Sequence, residues 1–285
     1  MPVTQKYLPC IGPQGFHKVA YTEWNGVSAE TRPALVCVHG MTRNSRDFDY
    51  LAAAMEDCYR VVSLDVVGRG ESDWLADYSG YGYAQYLADA AALIARLDVA
   101  EVDWVGTSMG GLMGMMLAAR PGSPIRRLVI NDIGPFIPKS FLGRIRRYVG
   151  TDPHFADVDG LEAHIRQIHA SFGPLSDGEW SHLAAHSARP LEGGGVGLAY
   201  DPLIAKAAFS PEGPEDVEMW DIWEQVNCPV LVLRGAESDL LLPETVERMK
   251  ASGPGCEAVE IAGCGHAPSL MPADQIAIVR DWLAD

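Results

Sequence analysis

Four short apolar runs punctuate the first half of the chain, each ending on a glycine or a small polar residue. They are "PALVCVHG" to Gly40, "YRVVSLDVVG" to Gly68, "VDWVGTS" to Ser108 and "IRRLVIND" to Asp132. Runs that are apolar throughout, rather than at alternate positions, predict strands covered on both faces. Between them, "YGYAQYLADAAALIARLDV" carries apolar residues at Tyr86, Ala90, Leu93, Ile94 and Leu97, the spacing of one helix face. Strand and helix in alternation predict an α/β fold in which a parallel sheet is wrapped by helices. The rhythm returns near the C-terminus, with "CPVLVLRG" and "EAVEIAG" as strands. "PETVERMKA" and "PADQIAIVRDWLA" follow them as helices, each opening at proline.

From about Phe136 to Trp223 the strand signals disappear. Leu161, Ile165, Ile168 and Phe172 instead recur at helical spacing. The expectation is a helical insertion, 136–223, between two pieces of one core, 1–135 and 224–285. Its glycine-rich stretch "LEGGGVGLAYDP" is expected to be a flexible loop. It has no lysine and no following helix to make it a phosphate cradle.

Composition narrows the function. The 285 residues, 48% hydrophobic, suffice for one large domain with an insertion. A formal net charge of −16 repels nucleic-acid phosphates and anionic membrane surfaces, so neither is expected as a partner. The opening "MPVTQKYLPCIGPQG" has no basic segment followed by an apolar one, and no run approaches the length of a membrane span; the reading is a cytoplasmic protein. Six cysteines (Cys10, Cys37, Cys58, Cys228, Cys256, Cys264) without C-x-x-C spacing indicate neither a disulfide framework nor a zinc site.

The chemistry is concentrated at "GTSMG", residues 106–110. Here an apolar strand runs into the small-residue helix "GGLMGMMLAAR", the context that a G-x-S-x-G turn requires. Such a turn pushes Ser108 outward as a candidate nucleophile, which needs a histidine to take its proton and a carboxylate to orient that histidine. His266, in a glycine-flanked loop after a predicted strand, is the candidate base. For the acid, Asp239 in "VLRGAESDLLLP" and Asp132 in "LVINDIGP" both follow strands and open onto one rim of the sheet; chain order favours Asp239, with Glu237 a third choice. The N–H of Met109 at the helix start and that of Met41 beyond Gly40 are the candidate oxyanion donors, with His39 bracing the loop and Gly40 permitting an unusual turn. Arg43, two residues on, is a candidate grip for a substrate carboxylate. "GRIRRYVG" is a second basic candidate, more simply a charged helix face.

These residues resemble the α/β-hydrolase superfamily over almost the whole chain. His39-Gly40 before Met41 resembles its oxyanion loop, "DVVGRGESD" its segment after the next strand and "GTSMGG" its nucleophile elbow. "SDLLLP" and "GCGHAP" resemble its acid and base loops. The resemblance implies a mostly parallel, doubly wound sheet of about eight strands. It also implies a cap formed by 136–223 and no metal or organic cofactor. Serine at position 108, where dehalogenases and epoxide hydrolases of the superfamily carry aspartate, implies acyl transfer to water. "HGMTRN" departs from the HGGG lipase signature and from the HG-x-GPG pattern of carbon-carbon hydrolases. The expectation is therefore an esterase acting on a small-molecule ester or related acyl compound. Rivals are a lactone, thioester or carbon-carbon bond hydrolase, a perhydrolase, or a ligand-binding member of the fold that does no chemistry. Phe136, Phe141, Phe172, Trp180, Trp220 and Trp223 are candidate pocket or packing residues, and the apolar face of the insertion serves equally as a lid or as a subunit interface.

Overall fold

The computed structural model describes residues 3–24 and 32–284; the ends of the expected core at 1–2 and 285, and the stretch 25–31, lie outside the described residues. The chain opens with a hairpin that the apolar-run pattern does not single out. β1 (Val3–Gly12) pairs antiparallel with β2 (Gly15–Trp24), burying Leu8 and Cys10 while Tyr7 and Ile11 stay exposed. The expected alternation follows: β3 (Ala34–Val38), α1 (Asp49–Met55), β4 (Arg60–Leu64), α2 (Tyr83–Leu97), β5 (Val102–Thr107), α3 (Met109–Ala118) and β6 (Ile125–Asn131). All five residues predicted for the inner face of α2 are buried, and Asp98 ends that helix in the left-handed conformation.

Residues 136–223 are less purely helical than their spacing predicts. They contain β7 (Phe136–Ile137), α4 (Lys139–Ile145), α5 (Val158–Ile168), α6 (Asp177–Ser187), β8 (Ala188–Pro190), β9 (Val196–Leu198), α7 (Ile204–Ala208), β10 (Val217–Glu218) and α8 (Trp220–Trp223). β7 pairs with β10 and β8 with β9, both antiparallel. The stretch expected as a flexible loop is thus a hairpin whose turn holds Gly193, Gly194 and Gly195, all at positive φ, where a side chain would be strained. The chain closes with β11 (Val230–Gly235), α9 (Pro243–Ala251, proline in its first turn), β12 (Glu257–Ile261) and α10 (Ala273–Ala284).

Eight strands form one sheet in the order β1-β2-β4-β3-β5-β6-β11-β12, antiparallel only where β2 meets β1 and β4. Successive side chains of a strand point to opposite faces. In β3, Ala34, Val36 and Val38 therefore join the cluster under α2 and α3, while Leu35 and Cys37 join the one built with Leu51 and Met55 of α1 and Val279 and Trp282 of α10. Burial on both faces explains the unbroken apolar runs. The strand order sets the C-terminal ends of β5, β6 and β11 side by side on one rim. The inserted segment is tied to the loop after β3 by Asn44 Nδ2 donating to His186 O (2.8 Å) and by a His182 Nε2 to Arg46 O bond (3.0 Å). Among the described residues no helix is long and apolar enough to cross a membrane.

Candidate active site

Ser108 sits between β5 and α3 at φ 52°, ψ −114°, a conformation that side chains rarely adopt and that costs on the order of 1–3 kcal/mol. Its backbone is held on both sides: Ser108 N–H donates to Asn131 O (2.9 Å), and Ser108 O accepts from Gly111 N–H (2.9 Å) and Leu112 N–H (3.1 Å). The flanking glycines are needed for close passage. A Cβ at Gly106 would stand 2.2 Å from the Gly110 carbonyl, and one at Gly110 2.0 Å from Val38 O.

The loop after β12 brings His266 over this turn. Its Nε2 lies 2.9 Å from Ser108 Oγ and its Nδ1 2.8 Å from Asp132 Oδ2. Asp132, just past β6 and fully buried, also accepts from Gly235 N–H (2.8 Å) and Ser238 Oγ (2.6 Å). Asn131 fixes the neighbouring loops by donating to Thr107 Oγ1 (3.0 Å) and Pro268 O (2.8 Å). Gly265 N–H donates to Ser171 O (2.8 Å), and Phe141 meets the His266 ring edge-on at 4.9 Å.

The preference for Asp239 is corrected by this geometry. The turn after β11 points Ser238 inward to Asp132 and sends Asp239 outward, where its half-exposed carboxylate pairs with Arg144 (2.8 and 2.9 Å). Glu237 is exposed in the same turn. β6 lies between β5 and β11, so the carboxylate at its end is adjacent to the serine, whereas Asp239 is one strand further away.

A cavity of about 320 Å³ opens above Ser108. Met41 and Met109 both line it, and among the described residues neither main-chain N–H donates to a protein acceptor. Gly40 does not have the unusual turn expected of it, since its φ is not positive; it lies against Ser108, where an added Cβ would make ordinary contact at 3.7 Å. Of the aromatic candidates, Phe141 and Phe172 line the cavity, while Trp180, Trp220 and Trp223 are buried elsewhere and Phe136 is half-buried. Arg43 lines it too, but its guanidinium is bound to Asp47 (2.9 and 2.6 Å) and Ser187 Oγ (2.8 Å), so it serves to join the loop after β3 to α6. Two clusters of metal-ligating types stand apart from this cavity's lining. Cys10, His17 and Asp89 are bound together under the N-terminal hairpin, and Asp49, His182 and His186 meet where α6 faces α1.

A family model described as the alpha/beta hydrolase family matches residues 35–278. The chain belongs to the alpha/beta hydrolase family. This hydrolase is 46% identical over 284 residues to a 3-hydroxybutyrate-oligomer hydrolase of Cupriavidus necator, covering 97% of this chain and 96% of the other. It is 26% identical over 236 residues to a 2-(acetamidomethylene)succinate hydrolase of Mesorhizobium japonicum, covering 82% and 81%. Among solved structures, an alpha/beta hydrolase from Novosphingobium aromaticivorans superposes with a TM-score of 0.85 at 32% identity, covering 99% of this chain and 98% of that one.

The hydrolase's oxyanion-loop candidate is braced from below, as expected of His39. Fully buried, this histidine accepts from Val66 N–H through Nε2 (3.0 Å), which leaves Nδ1–H to donate to Gly40 O (2.7 Å). Burial pushes its pKa down to about 4, so it stays neutral and keeps this tautomer. The sign of the pH effect follows. Above pH 6.5 His39 is neutral whether folded or not; below it the unfolded chain takes a proton that the folded chain refuses, and stability falls until about pH 4. The loss from this one residue is on the order of 3 kcal/mol. Burial acts in the same direction on His169 and His186, while buried Asp65, pushed up to about 6, acts in the opposite direction. Urea unfolding at pH 7 and pH 4.5 is expected to show a lower unfolding free energy at the acid value; a flat or rising profile would mean that the Asp65 contribution outweighs that of the histidines or that these histidines become charged in place.

Proposed function

We propose that this hydrolase cleaves the carboxylic ester of a short hydroxy acid through an acyl-enzyme on Ser108. The observation that carries the reading is the continuous chain Ser108 Oγ, His266, Asp132, with bonds of 2.9 and 2.8 Å. A hydroxyl is a weak nucleophile at neutral pH. His266 takes its proton as Ser108 attacks the acyl carbon, then gives that proton to the departing alkoxide. Asp132 holds the Nδ1–H tautomer and stabilises the imidazolium that forms between the two transfers. The unspent N–H groups of Met41 and Met109, the latter at the positive end of α3, receive the oxyanion, and each such donor is worth about 3 kcal/mol of barrier. Water activated by His266 then attacks the acyl-enzyme and restores Ser108. The segment 136–223 acts as a cap, since Phe141, Ile145 and Phe172 from it wall the cavity against the rim. Six cysteines with no disulfide among them fit the cytoplasm.

The substrate class rests on likeness. The relative from C. necator is named for hydrolysis of 3-hydroxybutyrate oligomers, whose units are joined by carboxylic esters, and a cavity of this size suits a short ester. The test is turnover of the 3-hydroxybutyrate dimer beside p-nitrophenyl esters of two to twelve acyl carbons. The expected result is release of monomer from the dimer and a preference for acyl groups of about six carbons or fewer. Folded protein that releases nothing from any ester would overturn the proposal in favour of a carbon-carbon bond hydrolase or a binding protein.

A further inference from the structure

Among the described residues three arginines, Arg43, Arg69 and Arg144, line the cavity above Ser108, and no aspartate or glutamate does. In a chain of net charge −16 that is a local reversal of sign. Arg43 is paired with Asp47, and Arg144 with Asp239. Arg69 differs. It is 1% exposed, and among the described residues no carboxylate lies within ion-pairing distance of it. Its Nε–H donates to Met41 O (2.8 Å), one Nη1–H to Val67 O (2.8 Å) and one Nη2–H to the thioether of Met109 (3.6 Å), while Tyr86 lies under the guanidinium at 4.9 Å. A guanidinium has five N–H donors, so two remain, and a sulfur is a weak acceptor for a third.

A cation taken out of water with no counter-charge is costly, and an arriving anion removes that cost. We propose that Arg69 is a carboxylate-binding residue of the substrate pocket, and that the substrate is an ester that also bears a free carboxylate a few bonds from the scissile carbonyl. The inference rests on the ester-hydrolase reading above and narrows it to anionic esters. Arg69 is suited to the task because it is tethered to the carbonyl of Met41 and the side chain of Met109, the two residues proposed above as oxyanion donors. A carboxylate bound by its two free N–H groups is therefore fixed relative to the oxyanion site, in the paired geometry that arginine offers and lysine does not. Binding also removes the buried charge's lack of a partner, so affinity comes from a site that the empty protein holds at a cost.

The test uses the 3-hydroxybutyrate dimer and its terminal carboxamide, which share the scissile ester and differ only in charge. Calorimetric titration onto Ser108→Ala protein needs neither turnover nor a change at Arg69, and the free acid is expected to bind at least about tenfold more tightly than the amide. In Arg69→Gln and Arg69→Lys, each made in the Ser108→Ala background, that preference is expected to collapse toward one, and in the active enzyme Arg69→Gln is expected to raise KM for the acid more than for the amide. Equal binding of acid and amide by Ser108→Ala protein would overturn the proposal. So would an acid preference that survives both Arg69 substitutions, or an equal loss on both compounds that leaves their ratio unchanged, since Arg69 would then only hold Met41 in place. Binding of the acid lost in the Arg69 variants, together with no turnover by the parent, would uphold the carboxylate site while refuting the ester chemistry.

Discussion

Asp132→Asn is expected to lower kcat on a good ester by about 10⁴-fold, while Asp239→Asn stays within about threefold of the parent. An amide in place of Asp132 still fits among the Gly235 N–H, the Ser238 hydroxyl and His266, but it offers an N–H where the ring needs an acceptor. The imidazole would turn to its other tautomer, with the proton on Nε2 facing Ser108, and could no longer take the serine's proton. Among the described residues Asp239 pairs with Arg144 at the cavity edge and does not reach His266, so its loss frees that arginine and leaves the Ser108–His266–Asp132 chain intact. Ser108→Ala should cost at least as much as Asp132→Asn. Steady-state kinetics on p-nitrophenyl acetate with all three variants checks the assignment; a large loss in Asp239→Asn with full activity in Asp132→Asn would reverse it.

The second large effect is on folding. Gly110→Ala is expected to destabilise the protein by at least about 3 kcal/mol, because the new methyl would meet the Val38 carbonyl at 2.0 Å. That carbonyl belongs to β3, which is paired on both sides and cannot retreat. Gly106→Ala would behave similarly against the Gly110 carbonyl. Gly178→Ala, the same chemical change in the first turn of α6 with open space around it, is expected to stabilise by about 0.5 kcal/mol through lower chain entropy. Urea unfolding of the two alanine variants at 110 and 178 gives opposite signs if the elbow is as close-packed as described; two small effects of the same sign would contradict it.

What could be read from the sequence followed from local pattern. The buried strands, the amphipathic α2 and the serine elbow each announce themselves within ten to twenty residues, since unbroken apolar runs and G-x-S-x-G state a physical need directly. Which carboxylate meets His266 could not be read this way. Asp132 and Asp239 both follow strands and both lie between Ser108 and His266 in the chain; what separates them is that β6, not β11, neighbours β5, and that Ser238 takes the inward position of its turn. Strand order is a long-range property that no window contains. Arg43 carried a usable local signal, the acidic residue four positions on that binds it. Arg69 carried none, because its burial depends on residues 199–201 closing over the loop after β4, where Gly70 N–H donates to Ala199 O and Asp201 N–H to Gly68 O. The β1–β2 hairpin carried a weaker signal, the turn "GPQG" between its strands, because β1 is largely exposed and has no unbroken apolar run.

The most direct test of the central claim is mass spectrometry of the enzyme quenched during turnover of p-nitrophenyl 3-hydroxybutyrate, followed by peptide mapping. The account predicts one acyl group per chain, on the peptide that carries Ser108, absent from Ser108→Ala and reduced in Asp132→Asn. Turnover with no adduct under any quench, or an adduct on another residue, would contradict it.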